Sequence, residues 1–518
     1  MFLILTIILL VSIYFYTTRN YDYWTKRNVK HDKPLPLFGN HFKTLFGMKG
    51  LVEVATEMYN KYPEEKVVGY FRGQTPELII RDPDIIRDVL SADFAYFYPR
   101  GLGRNTKIEP LHQNIFHLDG DLWKLLRHRL TPAFTTSKLK NMFPLIVKCA
   151  EELEHAGNEI VAAGGEFDAR ELMARFTTDF IGSCGFGLEL DAINNENSIF
   201  RKIGKKLYEP SLRTDLLVML WEIFPQIRKF IRMIDNNFEK AFTSIIMKIF
   251  EQRNFKPSGR NDFVDFVLDL AGKGKIIGES IEHRHSDGSP KKIEMEMDSS
   301  CLIAQIYIFF AAGFETSASS TSYTLHELAF NLDIQEKIQD EIDRVLLKYD
   351  NRLCYEAVAE MTLLDMALKE AMRVLSPGGR LHRVCASKYT ISKLGLSIDP
   401  GVKILIPSQA LQHDKLYFEN PEVFNPERFG KNEINKINKY VYAPFGEGPR
   451  ACIGIQFYLL IFIFINLVVA LAGLAAVLRN FTVVPSEKSQ RKLTMNPRIH
   501  VVQGAVNGIP LKLKLREK

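Results

Sequence analysis

The chain has no C-x-x-C pair, and its six cysteines, at 149, 184, 301, 354, 385 and 452, follow no short repeating spacing. That distribution argues against a disulfide scaffold and against structural zinc, and it fits a reducing, cytosol-facing compartment. Charge of one sign is lacking too: 67 Lys and Arg against 61 Asp and Glu leave a net charge of +6 over 518 residues. So small a surplus gives no reason to expect nucleic acid, and it is compatible with a membrane surface or an acidic protein partner. No G-x-G-x-x-G follows a strand, so no nicotinamide site is visible on the chain itself. The length exceeds the usual single-domain range, yet no polar linker divides the chain. Met1 to Tyr16, finally, contains no charged residue. With Thr17 and Thr18 it makes a helical segment of roughly 27 Å at about 1.5 Å per residue, enough for a thin bilayer such as the endoplasmic reticulum. A cleaved signal peptide would bring a basic start and a small-residue cleavage site, and neither is there. Arg19, Lys26, Arg27 and Lys30 follow, so the positive-inside rule leaves the remainder in the cytosol. The expected organisation is a membrane anchor over 1–18, a basic, proline-containing linker over 19–40 and a globular domain over 41–518.

What the chain does contain is concentrated in ten residues, Phe445 to Gly454, reading FGEGPRACIG. Cys452 stands in a glycine- and proline-rich loop just before a long apolar segment expected to be helical. Gly446, Gly448 and Gly454 permit tight turns, Pro449 stiffens the loop, and Arg450 sets a cation two residues before the sulfur. Backbone amides and a helix N-terminus stabilise a thiolate held in such a loop. A thiolate of this kind suits a metal, and haem iron is the metal that takes a single cysteine from a protein. The bland alternative is a buried free cysteine beside a turn. The run resembles the haem-binding signature of the cytochrome P450 family, F-x-x-G-x-R-x-C-x-G. The resemblance implies Cys452 as iron ligand, with Phe445 and Arg450 at the cofactor.

Three more segments fall in the family's order. Ser299 to Asn331 is a continuous helical pattern without proline, and its middle, Ala311 to Ser317, sets small residues where a bulky ligand needs close approach. A lone Thr316 would read as a back-bonded core residue. With its neighbours, AGFETS resembles the oxygen-activating motif A/G-G-x-D/E-T-T/S, which implies catalytic roles for Glu315 and Thr316. Glu370 and Arg373 share one face of a helix expected over 365–375, where an isolated pair would be worth under about 1 kcal/mol at a surface. Together with Arg428 in Asn425-Pro426-Glu427-Arg428-Phe429 they resemble the family's E-x-x-R and P-E-R-F motifs. That implies a buried triad supporting the cysteine loop. Trp123 and Arg127 form a W-x-x-x-R whose family counterpart faces the haem propionates. Arg127 and Arg450 are thus the leading propionate partners, with Arg380, from the run Arg380 to Cys385, as a third. Phe97 to Gly103 (FYPRGLG) and Leu130 to Phe143 (LTPAFTTSKLKNMF) are similar to insect microsomal enzymes that handle plant toxins and insecticides.

The family implies a mainly α fold with a smaller β-rich portion near the N-terminus (α+β), preceded here by a transmembrane anchor. It implies a haem b monooxygenase that inserts one oxygen atom into a small apolar substrate. The substrates expected are plant toxins, insecticides or endogenous lipids. Electrons would come from NADPH through a flavin reductase, NADPH-cytochrome P450 reductase, with cytochrome b5 as a further partner. Lys124, Arg129, Lys138 and Lys140 are candidate docking contacts, and a solvated helix face is the equal alternative. Tyr96, Phe97, Tyr98 and Phe116 would line the distal pocket or belong to the core, and Val501 to Ile509 is a second contact region. The rival classes are a haem-thiolate isomerase or dehydratase, against which the intact Glu315-Thr316 pair counts, and a non-catalytic membrane-bound binding protein, against which Cys452 counts. Gln456 stands where the family usually has arginine, and the uncharged run 457–477 is expected as a buried helix behind the haem. The polar stretch Glu282 to Asp298 is expected as a mobile surface loop.

Overall fold

The computed structural model describes residues 1–134, 136–195, 198–455 and 465–517. Gln456 and residues 457–464 of the uncharged run lie outside the described residues. In chain order the longer helices are α1 (Phe2–Thr18), α2 (Leu51–Lys61), α3 (Gly120–Leu130), α4 (Thr136–Ala162), α5 (Ala169–Ile181), α6 (Ile199–Tyr208) and α7 (Leu212–Ile223). They continue with α8 (Asn236–Gln252), α9 (Phe263–Gly272), α10 (Ser299–Ala329), α11 (Leu332–Leu347), α12 (Thr362–Val374) and α13 (Ile465–Asn480). The strands are β1 (Val67–Arg72), β2 (Thr75–Ile80), β3 (Glu166–Asp168), β4 (Ile276–Arg284), β5 (Pro290–Met295) and β6 (Leu381–Val384). The last five are β7 (Tyr389–Ile391), β8 (Leu396–Ile398), β9 (Lys403–Ile406), β10 (Phe481–Pro485) and β11 (Pro510–Leu515).

The core forms around α10, whose 31 residues start where the Asp298 carboxylate accepts from the Cys301 amide at 2.7 Å. Its apolar residues run all round, the mark of a helix enclosed by others. α5, α12 and α13 surround it. Small residues set the approach: a Cβ at Gly313 would meet Ile181, and one at Gly473 of α13 would meet Phe176 at 2.6 Å. Thr321 and Thr324 of α10 back-bond to the Ser317 and Ser320 carbonyls one turn earlier, both at 2.8 Å, so their hydroxyls are satisfied inside the core. In the described part of the uncharged run, Val468 to Leu478 are buried in the same core.

The β portion draws on both ends of the chain. One sheet has the order β1-β2-β9-β6, with β2 parallel to β9 (Leu78 opposite Ile404) and β6 antiparallel to β9 (Arg383 opposite Ile404). A second joins β10, β11 and β3. An N-terminal location for the sheets is therefore corrected: residues 381–406 supply half of the larger one. The stretch expected as a mobile loop is also corrected. β4 and β5 form an antiparallel hairpin (Ile276 opposite Met295) closed at Asp287-Gly288, with His285 N–H donating to the Ser289 carbonyl at 2.8 Å. Asp121 at the start of α3 clamps it, its carboxylate accepting from Ser280 Oγ at 2.7 Å and Ile281 N–H at 2.6 Å.

The segment expected as a linker packs into the sheet. Trp24 is fully buried, donates Nε1 to the Tyr70 carbonyl at 3.0 Å, and lies where a Cβ on Gly69 would stand 2.6 Å from its ring. Before it, α1 leaves Phe2 to Leu10 exposed, apart from the small Thr6, an apolar rod with no protein cover. Among the described residues, the one helix of at least 18 residues apolar enough to cross a membrane is α10, and it is core.

Candidate functional site

The cysteine loop meets α3 through Trp123 and the strand β6 through Leu381. Gly446 and Gly448 both hold φ near +75°, and a Cβ at Gly448 would collide with the Leu90 carbonyl. These turns double the loop back so that Cys452 N–H donates to the Phe445 carbonyl at 2.9 Å. Phe445 is half-buried against the main core, and Cys452 is half-buried. Burial pushes the Cys452 thiol up, while the Gly454 N–H, Arg127 and Arg100 pull toward the thiolate.

Four guanidiniums form one cluster here: Arg127 and Arg100 act on this sulfur, and Arg450 and Arg383 gather against Arg100. Arg450, 2% exposed, lies 4.0 Å from the Trp123 ring centroid and donates to the Tyr98 carbonyl (2.9 Å), the Leu118 carbonyl (3.0 Å) and Asp119 Oδ1 (2.7 Å). Arg100 donates to the Arg450 carbonyl at 3.2 Å and sits over Phe116. Arg127, 8% exposed, has neither Nε nor Nη2 in a hydrogen bond, and buried Arg383 leaves Nε unpartnered. Burial depresses Arg127 to about 10, Arg383 to about 9 and Arg450 to about 8, with Arg100 adding to all three. A guanidinium stays charged in a protein, so these values express a shortage of anions. Asp119 is the one carboxylate paired within the cluster among the described residues. Haem carries two propionates and takes a thiolate ligand, so the orphaned Arg127 nitrogens, the cation excess and Cys452 together fit it. Arg380 stands apart: burial and Arg72 depress it, and it donates to His382 Nε2 at 2.8 Å and to the His500 carbonyl. Arg100 and Arg383 take its place in the cluster. Both lay in runs already singled out, FYPRGLG and Arg380 to Cys385, but only folding shows that Arg100, and Arg383 rather than Arg380, join the cluster.

On α10 the residues that escape burial near mid-helix are Ala312, Gly313, Thr316 and Ser320, which share one face. Thr316 donates its hydroxyl to the Ala312 carbonyl at 2.6 Å, leaving its oxygen lone pairs free toward that open face. Glu315 points elsewhere. It is 4% exposed and ion-paired with Arg170 of α5.

Behind the loop, Glu370 and Arg373 are both fully buried and joined by two hydrogen bonds of 2.8 and 2.9 Å. Arg373 donates onward to the carbonyls of Gln412 (2.9 Å) and Pro421 (2.8 Å). Glu370 accepts from Asn425 N–H at 2.9 Å and from Arg428 Nε at 3.4 Å. Tyr442, three residues before Phe445, packs at a tilt against Phe429 and donates to the Lys369 carbonyl, so α12 is tied to the cysteine loop at both ends of the intervening chain. Of the aromatics, Phe97 is core beside Tyr389, Tyr96 faces out, Tyr98 donates to Glu282, and Phe116 lies under Arg100 at the site. Lys140 is paired with Glu356, and the side chain of Lys138 lies outside the described residues.

The family model described as cytochrome P450 matches residues 30–510. Cytochrome P450 6B2 of Helicoverpa armigera is 34% identical over 511 residues, covering 98% of this chain and 97% of that protein. Cytochrome P450 6a2 of Drosophila melanogaster is 35% identical over 513 residues, 96% of each. Cytochrome P450 6B1 of Papilio polyxenes is 34% identical over 457 residues, 88% of this chain and 89% of that one.

Proposed function

The chain belongs to the cytochrome P450 family and is a haem- and iron-binding monooxygenase, and we propose that it oxidises small apolar molecules at the face of α10 opened by Ala312 and Thr316. When bound, haem supplies the oxygen activation, and the thiolate donates electron density that favours O–O cleavage. In this reading Arg127, Arg450, Arg100 and Arg383 hold the propionates, and Trp123 keeps Arg450 in place by ring contact. Thr316 already spends its proton on Ala312, so its oxygen receives a hydrogen bond and orients a water on the open face. Glu315, paired with Arg170 inside the core, relays protons to Thr316 when that pair opens. Glu370, Arg373 and Arg428 play a structural part, holding the cysteine loop without touching the chemistry.

Plant toxins, insecticides or endogenous lipids are the proposed substrates, and NADPH is the electron source through a flavin reductase, with cytochrome b5 as an auxiliary donor. Two electrons from NADPH and two protons reduce dioxygen so that one atom enters the substrate and the other leaves as water. α1 is the proposed anchor in the endoplasmic reticulum membrane, its exposed apolar rod answering to lipid, with residues 19–518 in the cytosol. The observation that carries the reading is the anion-poor arginine cluster beside Cys452. The test is the reduced, carbon monoxide-treated spectrum followed by reductase-dependent NADPH oxidation with product formation. A red-shifted thiolate band lost in Cys452→Ser supports it. Peroxide rearrangement without any need of reductase would replace it with an isomerase.

A further inference from the structure

The catalytic turn of α10 is gripped from outside by one face of α6. Arg201, Gly204 and Tyr208 fall at i, i+3 and i+7, so they share that face. Arg201 sets its guanidinium 5.4 Å from the Phe314 ring centroid, and its other side is held by Glu171, with Nε to Oε1 at 3.1 Å. A Cβ at Gly204 would stand 2.9 Å from Phe314 ring carbon, so glycine permits the close approach. Tyr208 stacks on the same ring, centroids 6.3 Å apart and planes 27° from parallel. Its hydroxyl donates to the Ala311 carbonyl at 2.6 Å.

Ala311 is not an arbitrary acceptor. In the helix ladder its carbonyl serves the amide of Glu315, and the next carbonyl, of Ala312, already takes the Thr316 hydroxyl. Two side-chain hydroxyls therefore load adjacent peptides, one from outside the helix and one from within. Each shares its carbonyl with an intrahelical amide, and each bears on the turn that presents Glu315 and Thr316. We infer that Tyr208 is a positioning residue for the monooxygenase reaction, holding the Ala311–Thr316 turn in the geometry that directs protons to bound oxygen. The inference rests on the monooxygenase reading. Without the Tyr208 bond the Ala311 carbonyl loses its outside donor, which Thr177 on the Phe314 carbonyl and Arg170 on Glu315 do not replace, and reducing equivalents leave as peroxide: NADPH, a proton and dioxygen give NADP⁺ and hydrogen peroxide, with substrate untouched.

The experiment uses full-length holoenzyme with reductase and NADPH, with ethoxycoumarin as the probe, and compares wild type with Tyr208→Phe, Thr316→Ala and the double variant. Tyr208→Phe keeps the ring and removes only the donor. The expected result is an unchanged thiolate–carbon monoxide band, KM within about twofold, and product per NADPH lowered roughly threefold or more with peroxide making up the difference. Thr316→Ala is expected to uncouple as well, and the double variant to add little, because both act on one turn. Exchange of the Glu315 amide with deuterium, which needs no substrate, is expected to quicken in Tyr208→Phe. Unchanged coupling and unchanged exchange would overturn the inference, as would loss of coupling together with loss of the band. Absence of the band in wild type would instead count against the haem-thiolate reading.

Discussion

Two groups of buried arginines sit on either side of the cysteine loop, and they differ in what they still want. Arg373 is fully buried yet complete: Glu370 meets it with two hydrogen bonds, and the carbonyls of Gln412 and Pro421 take more of its donors. Arg127, nearly as buried, has two nitrogens with no partner, and Arg383, Arg100 and Arg450 beside it share one carboxylate, Asp119. A buried ion pair that is complete is a frame, costly to break from one side. A buried cation left incomplete marks a place for an anion from outside the chain. The same residue type in the same molecule thus reads as scaffold or as binding site according to its charge balance.

The sharpest way to break the comparison is to unbalance the complete group. Arg373→Ala removes the two-bond partner of the buried Glu370 carboxylate and leaves it only the Asn425 N–H and the longer Arg428 contact, and it is expected to cost about 3–5 kcal/mol, seen as a large fall in urea midpoint or in recoverable folded protein. A midpoint near that of wild type would put the two groups on one footing. A second buried ion network lies by β1, β2 and β9, where Glu222 faces Lys403 at 3.4 Å and Arg228 at 3.2 Å, and Arg72 nearby is paired with Glu77 at 2.9 Å. Burial alone would raise the Glu222 carboxyl, but Lys403, Arg72 and Arg228 hold it down at about 2 from an ordinary 4.5. A depressed carboxyl stabilises the fold above its unfolded pKa, so this contribution is present above pH 4.5 and is lost as pH falls toward 2. The loss is expected to reach at most about 3 kcal/mol, and Glu222→Gln should flatten that part of an acid-unfolding profile.

The incomplete group should respond with the opposite sign in the protein without its cofactor. Arg127→Gln is expected to leave haem-free protein as stable as wild type or more so, since it removes an unpaired buried charge. The same change should speed haem transfer to a scavenger globin roughly tenfold to a hundredfold, from about 1.5–3 kcal/mol for a hydrogen bond to a charged group. Equal destabilisation of both forms would make Arg127 mere scaffold. The smallest effect falls on Arg428, which reaches Glu370 at 3.4 Å and is 14% exposed in its side chain. Arg428→Ala is expected to cost about 1 kcal/mol, readable as a small shift in thermal midpoint.

How far the sequence was legible depended on whether a feature was local. Cys452, Thr316, Glu370 and Arg373 stood out because each lies in a short motif that resembles one of the family's, and such motifs are written within a few residues. Arg100 and Arg383 did not, because each had neighbours of the same type, Arg104 and Arg380, and only the twist of a strand or loop decides which turns inward. The hairpin of β4 and β5 was missed for a related reason. The charge of residues 282–298 left no apolar alternation to mark strands, and the hairpin's partner is Asp121 on α3, far away in sequence. Trp24 likewise looked like part of a basic linker until β1 supplied Gly69 as its seat.

Local sequence carried the helical character of α10 and the apolar N-terminal rod, because backbone propensity and nearest-neighbour contacts act over a handful of residues, and the short motif around Cys452 carried the resemblance from which a cysteine ligand is expected. Tertiary structure alone decided which cations are paired and which are left wanting, that Glu315 faces Arg170, and that Tyr208 reaches Ala311. Charge balance and hydrogen-bond completion are sums over everything within a few ångströms, and in a folded chain most of those neighbours come from distant parts of the sequence.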